Sequence, residues 1–277
     1  MIIFLAFLVG LLLGSFLNVC IHRWPLMESV VRPRSRCPHC QAAIAWHDNI
    51  PLLSYLLLKG RCRACGAPIS IRYPLVELLT GLLYAAVVAR FGLEPMAFKA
   101  ALFGSMMLVL FFTDLAEMIL PDEITIGGAV IGLVLSVFIF VDSGVAMVFF
   151  VLSDTPAPRW LISLADSASS AAILGGMLWL VSEAYYRVRK MEGLGLGDVK
   201  MVAMMAAFWG ISQTALILVL SSLIGAVSGL LIIVIGRKHW RYPLPFGSYL
   251  AATGIVATMW GDTILSWYWS RVLPPAS

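Results

Sequence analysis

Two acidic residues and four cysteines carry most of the chemistry this sequence can offer. Asp114 closes the apolar run Leu108-Val109-Leu110-Phe111-Phe112-Thr113, and Asp198 ends the glycine run Gly193-Leu194-Gly195-Leu196-Gly197, ahead of Val199 and Lys200. A carboxylate placed inside an apolar helix costs several kcal/mol unless it has a partner, so such residues mark function. Three alternate glycines remove side-chain bulk from the backbone before Asp198, so that another segment can approach closely. They do not form a dinucleotide fingerprint, because no βαβ pattern surrounds them. Taken alone, Asp198 also reads as the capping residue of an inter-helix loop. Asp114 admits no capping role, and a second acid sharing its proton meets its need for a partner. Two close carboxylates cannot both ionise; one keeps a proton while the other acts as base. Such a pair can hydrolyse an amide: the ionised member activates water, and the protonated member polarises the carbonyl and assists the leaving amine.

The cysteines form two C-x2-C pairs, Cys37-Pro38-His39-Cys40 and Cys62-Arg63-Ala64-Cys65, with 21 residues between the inner members. This spacing predicts a four-thiolate zinc site, structural because every coordination position is filled by sulfur; iron fits the same knuckles. Gly66, directly after the second pair, suits a left-handed turn that aims backbone N–H groups at sulfur. Cys20, the fifth cysteine, reads as a buried small hydrophobe. His22, His39 and His47 read as polar surface residues rather than ligands.

The elements that must position these groups follow from composition. Hydrophobic residues make up 61% of the 277-residue chain and charged residues 12%, far from a soluble domain. The net charge of +4 is small and calls for no nucleic-acid partner. The pattern predicts an all-α polytopic membrane protein of about eight spans, with a small polar insert between the first two. The spans fall near 2–20, 75–90, 97–117, 121–141, 170–187, 199–211, 214–235 and 247–268. The domain division is a first transmembrane helix over 1–20, a zinc-binding insert over 21–74 and a seven-helix core over 75–277. The first span lacks a preceding basic region and a following A-x-A site, so it is expected to remain as a membrane helix rather than be cleaved.

Lys and Arg set the orientation. With the N-terminus outside, 15 of the 19 cations fall on inner segments, chiefly 21–74, 187–200 and 236–246. Residues 21–74 are then cytoplasmic, where thiols stay reduced and disulfides are disfavoured. Both termini are outside, and 142–169, with Asp142, Asp154 and Asp166, is expected to be a loosely structured outer loop. This orientation also brings Asp114 and Asp198 to one depth, near the inner face. Asp122 and Glu123 follow Pro121 and read as residues complementing a helix N-terminus. Glu77 sits one turn inside the second span, either pairing with Arg72 or lining a groove.

The ordered set of motifs resembles the type IV prepilin peptidases, membrane aspartyl proteases marked by Gly-x-Gly-Asp. Gly14-Ser15-Phe16-Leu17-Asn18-Val19 with Arg23 and Pro25, the two cysteine knuckles, Asn49-Ile50-Pro51, Ser54-Tyr55, Ile69 to Pro74 with Glu77 and Thr80-Gly81, Asp114 with Leu120-Pro121-Asp122, and Gly195, Gly197, Asp198 and Lys200 all follow the family's order. Pro245-Phe246-Gly247 is similar to a motif before the last helix, but Ser248 stands where many members have proline; that departure is expected to touch no catalytic role. The resemblance implies that Asp114 and Asp198 are catalytic. It also implies that substrates are type IV prepilins or type II secretion pseudopilins, cut on the cytoplasmic side of a bacterial inner membrane. Members with such an insert commonly also methylate the new N-terminal amine using S-adenosylmethionine, for which no binding residues stand out. Two alternatives remain open on the residues alone: a proton-coupled transporter using both aspartates, and a zinc-bearing scaffold without catalysis.

Overall fold

The computed structural model describes residues 1–141, 157–191, 193–235 and 244–272. The longer elements are all helical: α1 (Ile2–Arg23), a short α2 (Leu53–Leu57), α3 (Arg72–Phe91), α4 (Pro95–Glu117), α5 (Asp122–Phe138), α6 (Arg159–Arg189), α7 (Leu196–Val234) and α8 (Phe246–Val272). Five of them, α1, α3, α4, α6 and α7, are long and apolar enough to cross a membrane. The chain is an all-α polytopic membrane protein. Every expected span falls on helix, with one correction at the loop expected over 142–169. The spans expected at 199–211 and 214–235 are the two helical halves of α7, which meet at a kink at Gly210 (φ 74°, ψ −176°). That backbone region is essentially closed to residues with a Cβ, so glycine alone lets the helix change course there. The loop expected over 142–169 is shorter than its sequence suggests, because α6 starts at Arg159 and carries Asp166 fully buried. Asp142 and Asp154 lie outside the described residues.

The chain divides into two compact units, Met1–Thr113 and Asp114–Ser277. In the first, α1 and α3 pack along small residues. A Cβ on Gly10 would lie 2.6 Å from the Thr80 carbonyl oxygen, and one on Gly14 would lie 2.7 Å from Glu77 Cα. Such close backbone approach stabilises membrane helix pairs, where water offers no hydrophobic drive. Asn18 Nδ2 donates to the Tyr73 carbonyl at 2.9 Å, tying α1 to the start of α3.

The polar insert of this unit holds two copies of one turn. Residues 36–44 and 61–69 share the pattern R-C-x-x-C-x-A-x-I. Cys37 N–H donates to Ala42 O (3.0 Å) and Cys62 N–H to Ala67 O (2.8 Å), while Gln41 and Gly66 N–H return to Cys37 and Cys62 O, both at 2.9 Å. Gly66 has φ 72°, the left-handed turn expected of it; Gln41 takes the same conformation at φ 59° despite its side chain, whose Nε2 donates to Pro38 O at 3.1 Å.

In the second unit α7 is the central element. Met201, Val202 and Met204 to Phe208 are fully buried, which accounts for an apolar half-helix too short to be a free span. Missing Cβ atoms bring its neighbours close: Gly132 of α5 would meet Phe208 at 2.7 Å, and Gly175 of α6 would meet Ala203 at 3.0 Å.

Candidate active site and metal site

The two acids belong to the same unit, and each sits at a helix end made by its local sequence. Asp114 occupies the last turn of α4, where its side chain is 5% exposed. Asp198 is the third residue of α7, with Gly195 in extended conformation (φ −66°, ψ 142°) directly ahead of the helix. It is therefore not the capping residue. Its N–H donates to Gly195 O at 3.1 Å, placing the carboxylate in the first turn at the positive helix end. None of the three glycines of the run has a positive φ. Each instead vacates space for a side chain: Gly193 for the Tyr185 ring (2.6 Å from a built Cβ), Gly195 for the Asp198 carboxylate itself (3.3 Å) and Gly197 for Leu120 (3.2 Å).

The structure brings Asp114 and Asp198 within electrostatic reach of one another. It adds a residue that sequence reasoning set aside. Ser248 donates to Asp114 Oδ2 twice, from its backbone N–H at 2.6 Å and from its hydroxyl at 2.8 Å. Ser248 was expected to touch neither acid, and it bonds one of the two candidates; a proline here would offer neither donor. With two donors on Oδ2, a proton carried by Asp114 resides on Oδ1. Gly247 brings the first turn of α8 this close, since a Cβ there would lie 3.1 Å from Asp114 Cγ and 3.0 Å from Leu120. Leu120 thus fills the space beside both Gly197 and Gly247.

Asp122 is the first residue of α5, as expected of a dipole-complementing acid, and it has a further partner. Lys200 Nζ reaches its two oxygens at 2.7 and 2.9 Å. This pair joins the start of α5 to the turn of α7 that carries Asp198. Both side chains are exposed, so the bond is a modest tether.

The four cysteines converge as their spacing predicts. The Sγ atoms of Cys37, Cys40, Cys62 and Cys65 all lie within 4.8 Å of one another, with Cys37 to Cys65 at 3.9 Å. Four sulfurs around a tetrahedral zinc, at bond lengths of ~2.3 Å, sit about 3.8 Å apart, so the set fits this ion. The electrostatics agree. The backbone N–H groups of Cys40 and His39 pull the Cys37 thiol down to about 6. The Ala67 N–H lowers Cys65, but the neighbouring Cys40, Cys62 and Cys37 side chains outweigh it and push this thiol up to about 11. Four sulfurs this close cannot all ionise without a cation among them. His39 and His47 are not in the cluster; His47 lies beside Asp48, whose carboxyl is held below the usual range by the Arg63 guanidinium. Cys20 is fully buried, as expected of a small hydrophobe.

Residues 8–91 match the Bacterial Peptidase A24 N-terminal domain and residues 101–230 match the Type IV leader peptidase family. Three relatives are named prepilin leader peptidase/N-methyltransferase. The protein from Aeromonas hydrophila is 37% identical over 297 residues, covering 97% of this chain and 94% of the relative. That from Bacillus subtilis is 36% identical over 262 residues, covering 95% and 96%. That from Myxococcus xanthus is 41% identical over 228 residues, covering 82% of this chain and 62% of the relative. No solved structure matches the chain.

Proposed function

The chain belongs to the type IV leader peptidase family, and from that premise we propose that Asp114 and Asp198 are the dyad with which it removes the leader peptide of prepilins or pseudopilins. The observation that carries this is that two acids of the second unit stand within electrostatic reach of one another, Asp114 buried and held by Ser248 and Asp198 half-buried. In the resting pair one proton is shared between the two carboxylates. A water between them gives a proton to the ionised carboxylate as its oxygen attacks the scissile carbonyl carbon. The protonated carboxylate gives its proton to the carbonyl oxygen, producing a neutral tetrahedral diol. Collapse of the diol breaks the C–N bond; the new amine takes a proton from the first acid, and the second recovers one from the diol. Ser248 fixes the face that Asp114 presents throughout. A prepilin supplies a basic leader followed by an apolar helix; the cation distribution supports a cytoplasmic side for residues 21–74 and both acids and an outer side for the termini. The transporter alternative has no support in the comparisons with named enzymes.

The chain is also a methyltransferase acting on the amine that cleavage exposes, with S-adenosylmethionine as the methyl donor, which supplies an electrophilic methyl group when bound. Zinc is the ion that fits Cys37, Cys40, Cys62 and Cys65, and its role is to staple an insert too small to hold a core of its own.

The test of the dyad is leader removal in detergent by Asp114→Asn and Asp198→Asn, each beside Glu117→Gln as an exposed control. Each aspartate variant is expected to lose cleavage by on the order of 1,000-fold or more while retaining metal and helix content. Near-normal cleavage by either variant rules out the two-aspartate mechanism.

A further inference from the structure

The peptidase chemistry uses groups of the second unit and leaves unexplained a cavity of about 950 Å³ lined wholly by the first. Its volume lies near the upper end of small-molecule sites. One wall is the inner end of α1 and the start of α3, with Ser15, Asn18, Arg72 and Glu77; the other is formed by the cysteine knuckles and Tyr55. Glu77 is 9% exposed and pairs with no cation among the described residues; its Oε2 accepts the Leu52 N–H at 2.9 Å, and the Ser15 hydroxyl donates to it. Its role is therefore not the pairing with Arg72 considered above. Leu52 is held at φ 58° as it makes this bond, a costly conformation for a leucine. Two further polar atoms are buried without a partner: Asn18 Oδ1, on a side chain 3% exposed, and Arg72 Nε. Buried polar groups are almost always bonded, so orphans beside a cavity point to a bound molecule.

The chemistry of the lining describes that molecule. A buried carboxylate suits a cation, an orphaned amide oxygen an N–H group, an orphaned guanidinium N–H a carboxylate, and a tyrosine ring a flat base. A sulfonium nucleoside bearing an amino-acid end has all four. The geometry points to this cavity as the methyl-donor site, with the Glu77 carboxylate facing the sulfonium, Asn18 Oδ1 accepting from an N–H group, and Arg72 Nε donating to the donor's carboxylate. This rests on the methyltransferase activity given above and adds its location: the methylating and hydrolysing chemistries occupy different units of the chain.

The experiment uses the full-length protein in detergent and measures binding rather than turnover. Radiolabelled S-adenosylmethionine is cross-linked by ultraviolet light to the wild-type protein, and the labelled peptides are mapped. Label is expected within 15–23 or 49–77; label confined to 114–272 overturns the proposal. In parallel, Kd is measured for S-adenosylmethionine and for S-adenosylhomocysteine, its uncharged thioether, in wild type and in Glu77→Gln, with bound zinc reporting on the fold. The variant is expected to bind the sulfonium at least about tenfold more weakly, the scale of a lost charge-assisted contact, and to lose much less affinity for the thioether. An equal loss for both compounds, or none for either, overturns the assignment of Glu77. If the wild type cleaves leaders yet binds no S-adenosylmethionine, this proposal and the methylation activity fall together. If it methylates a synthetic pre-cut pilin N-terminus while its label maps to 114–272, only the location falls.

Discussion

The cysteine cluster and the aspartate dyad are assembled in opposite ways. Each knuckle is made by nine consecutive residues, and its hydrogen bonds close within six positions, as in Cys37 N–H to Ala42 O and Cys62 N–H to Ala67 O. The dyad is made by residues far apart: Ser248 donates to Asp114 across 134 positions. In the first case the sequence motif is the site. In the second the motif supplies one group, and helix packing decides what meets it. A locally encoded site needs only its ligand to be complete, whereas a site encoded at long range needs every helix that carries it to be in register.

This contrast can be broken at either end. The largest effect is expected at the cysteines, because structural zinc binding is itself folding free energy, about 10–16 kcal/mol in small zinc-finger peptides. Cys62→Ser, or treatment with a strong chelator, should release one zinc per chain and expose the insert to trypsin at Arg61 and Arg63. Far-ultraviolet circular dichroism should keep nearly all its helix signal. If helix content collapses with metal loss, the insert is not the self-contained element described here.

The next effect belongs to the helix that carries Asp198. Gly210→Ala forces a Cβ into a glycine-only backbone region and should cost about 1–3 kcal/mol, read as a lower thermal midpoint in detergent. Gly176→Ala, where a Cβ meets nothing within 4 Å, should be neutral. Equal midpoints for the two variants would mean that the break in α7 is not a point of constraint.

A smaller effect separates the two donors on Asp114. Ser248→Ala removes the hydroxyl and leaves the N–H, so kcat for leader cleavage should fall about tenfold, equivalent to ~1.4 kcal/mol, with KM unchanged. Ser248→Thr, which keeps a hydroxyl, should recover most of it. A change in KM alone would assign Ser248 to substrate binding instead.

The smallest effect is expected at Lys200 and Asp122. Exposed pairs contribute roughly 0.2–1 kcal/mol, so Lys200→Met should lower cleavage by no more than about fivefold, with the deficit shrinking as salt rises. The exchange Lys200→Asp with Asp122→Lys should restore it. A loss of 100-fold would place Lys200 in the chemistry itself.

The sequence made some of this plain and hid the rest for physical reasons. Asp114 and Asp198 are visible because acids are expensive among apolar residues, and the cysteines because metal ligation imposes a spacing. Residues 159–169 hold three Ser, two Ala and one Asp, and their polarity reads as loop; the structure makes them helix, with Ser163 accepting the Val141 N–H and donating to Ser136 O, both at 2.7 Å. The kink in α7 falls at Gly210, beside the polar pair Ser212-Gln213 that separates its two apolar runs, so the division into two halves was legible and only the residue that makes it was not. Ser248 was out of reach because a hydroxyl at a helix start has many uses, and only the fold shows what lies opposite. The one available signal was its place in Pro245-Phe246-Gly247, where many family members have proline. The knuckle repeat was visible in the sequence, at an offset of 25 residues between Cys37 and Cys62.

Leu120 fills the space left by a missing Cβ beside each acid, at Gly197 and at Gly247. A single aliphatic volume therefore acts as the feeler gauge between two helix starts, those of α7 and α8. Residues 120, 197 and 247 form one adjustable dimension, and a larger or smaller side chain at 120 changes how closely the helix starts carrying Gly197 and Gly247 can approach it.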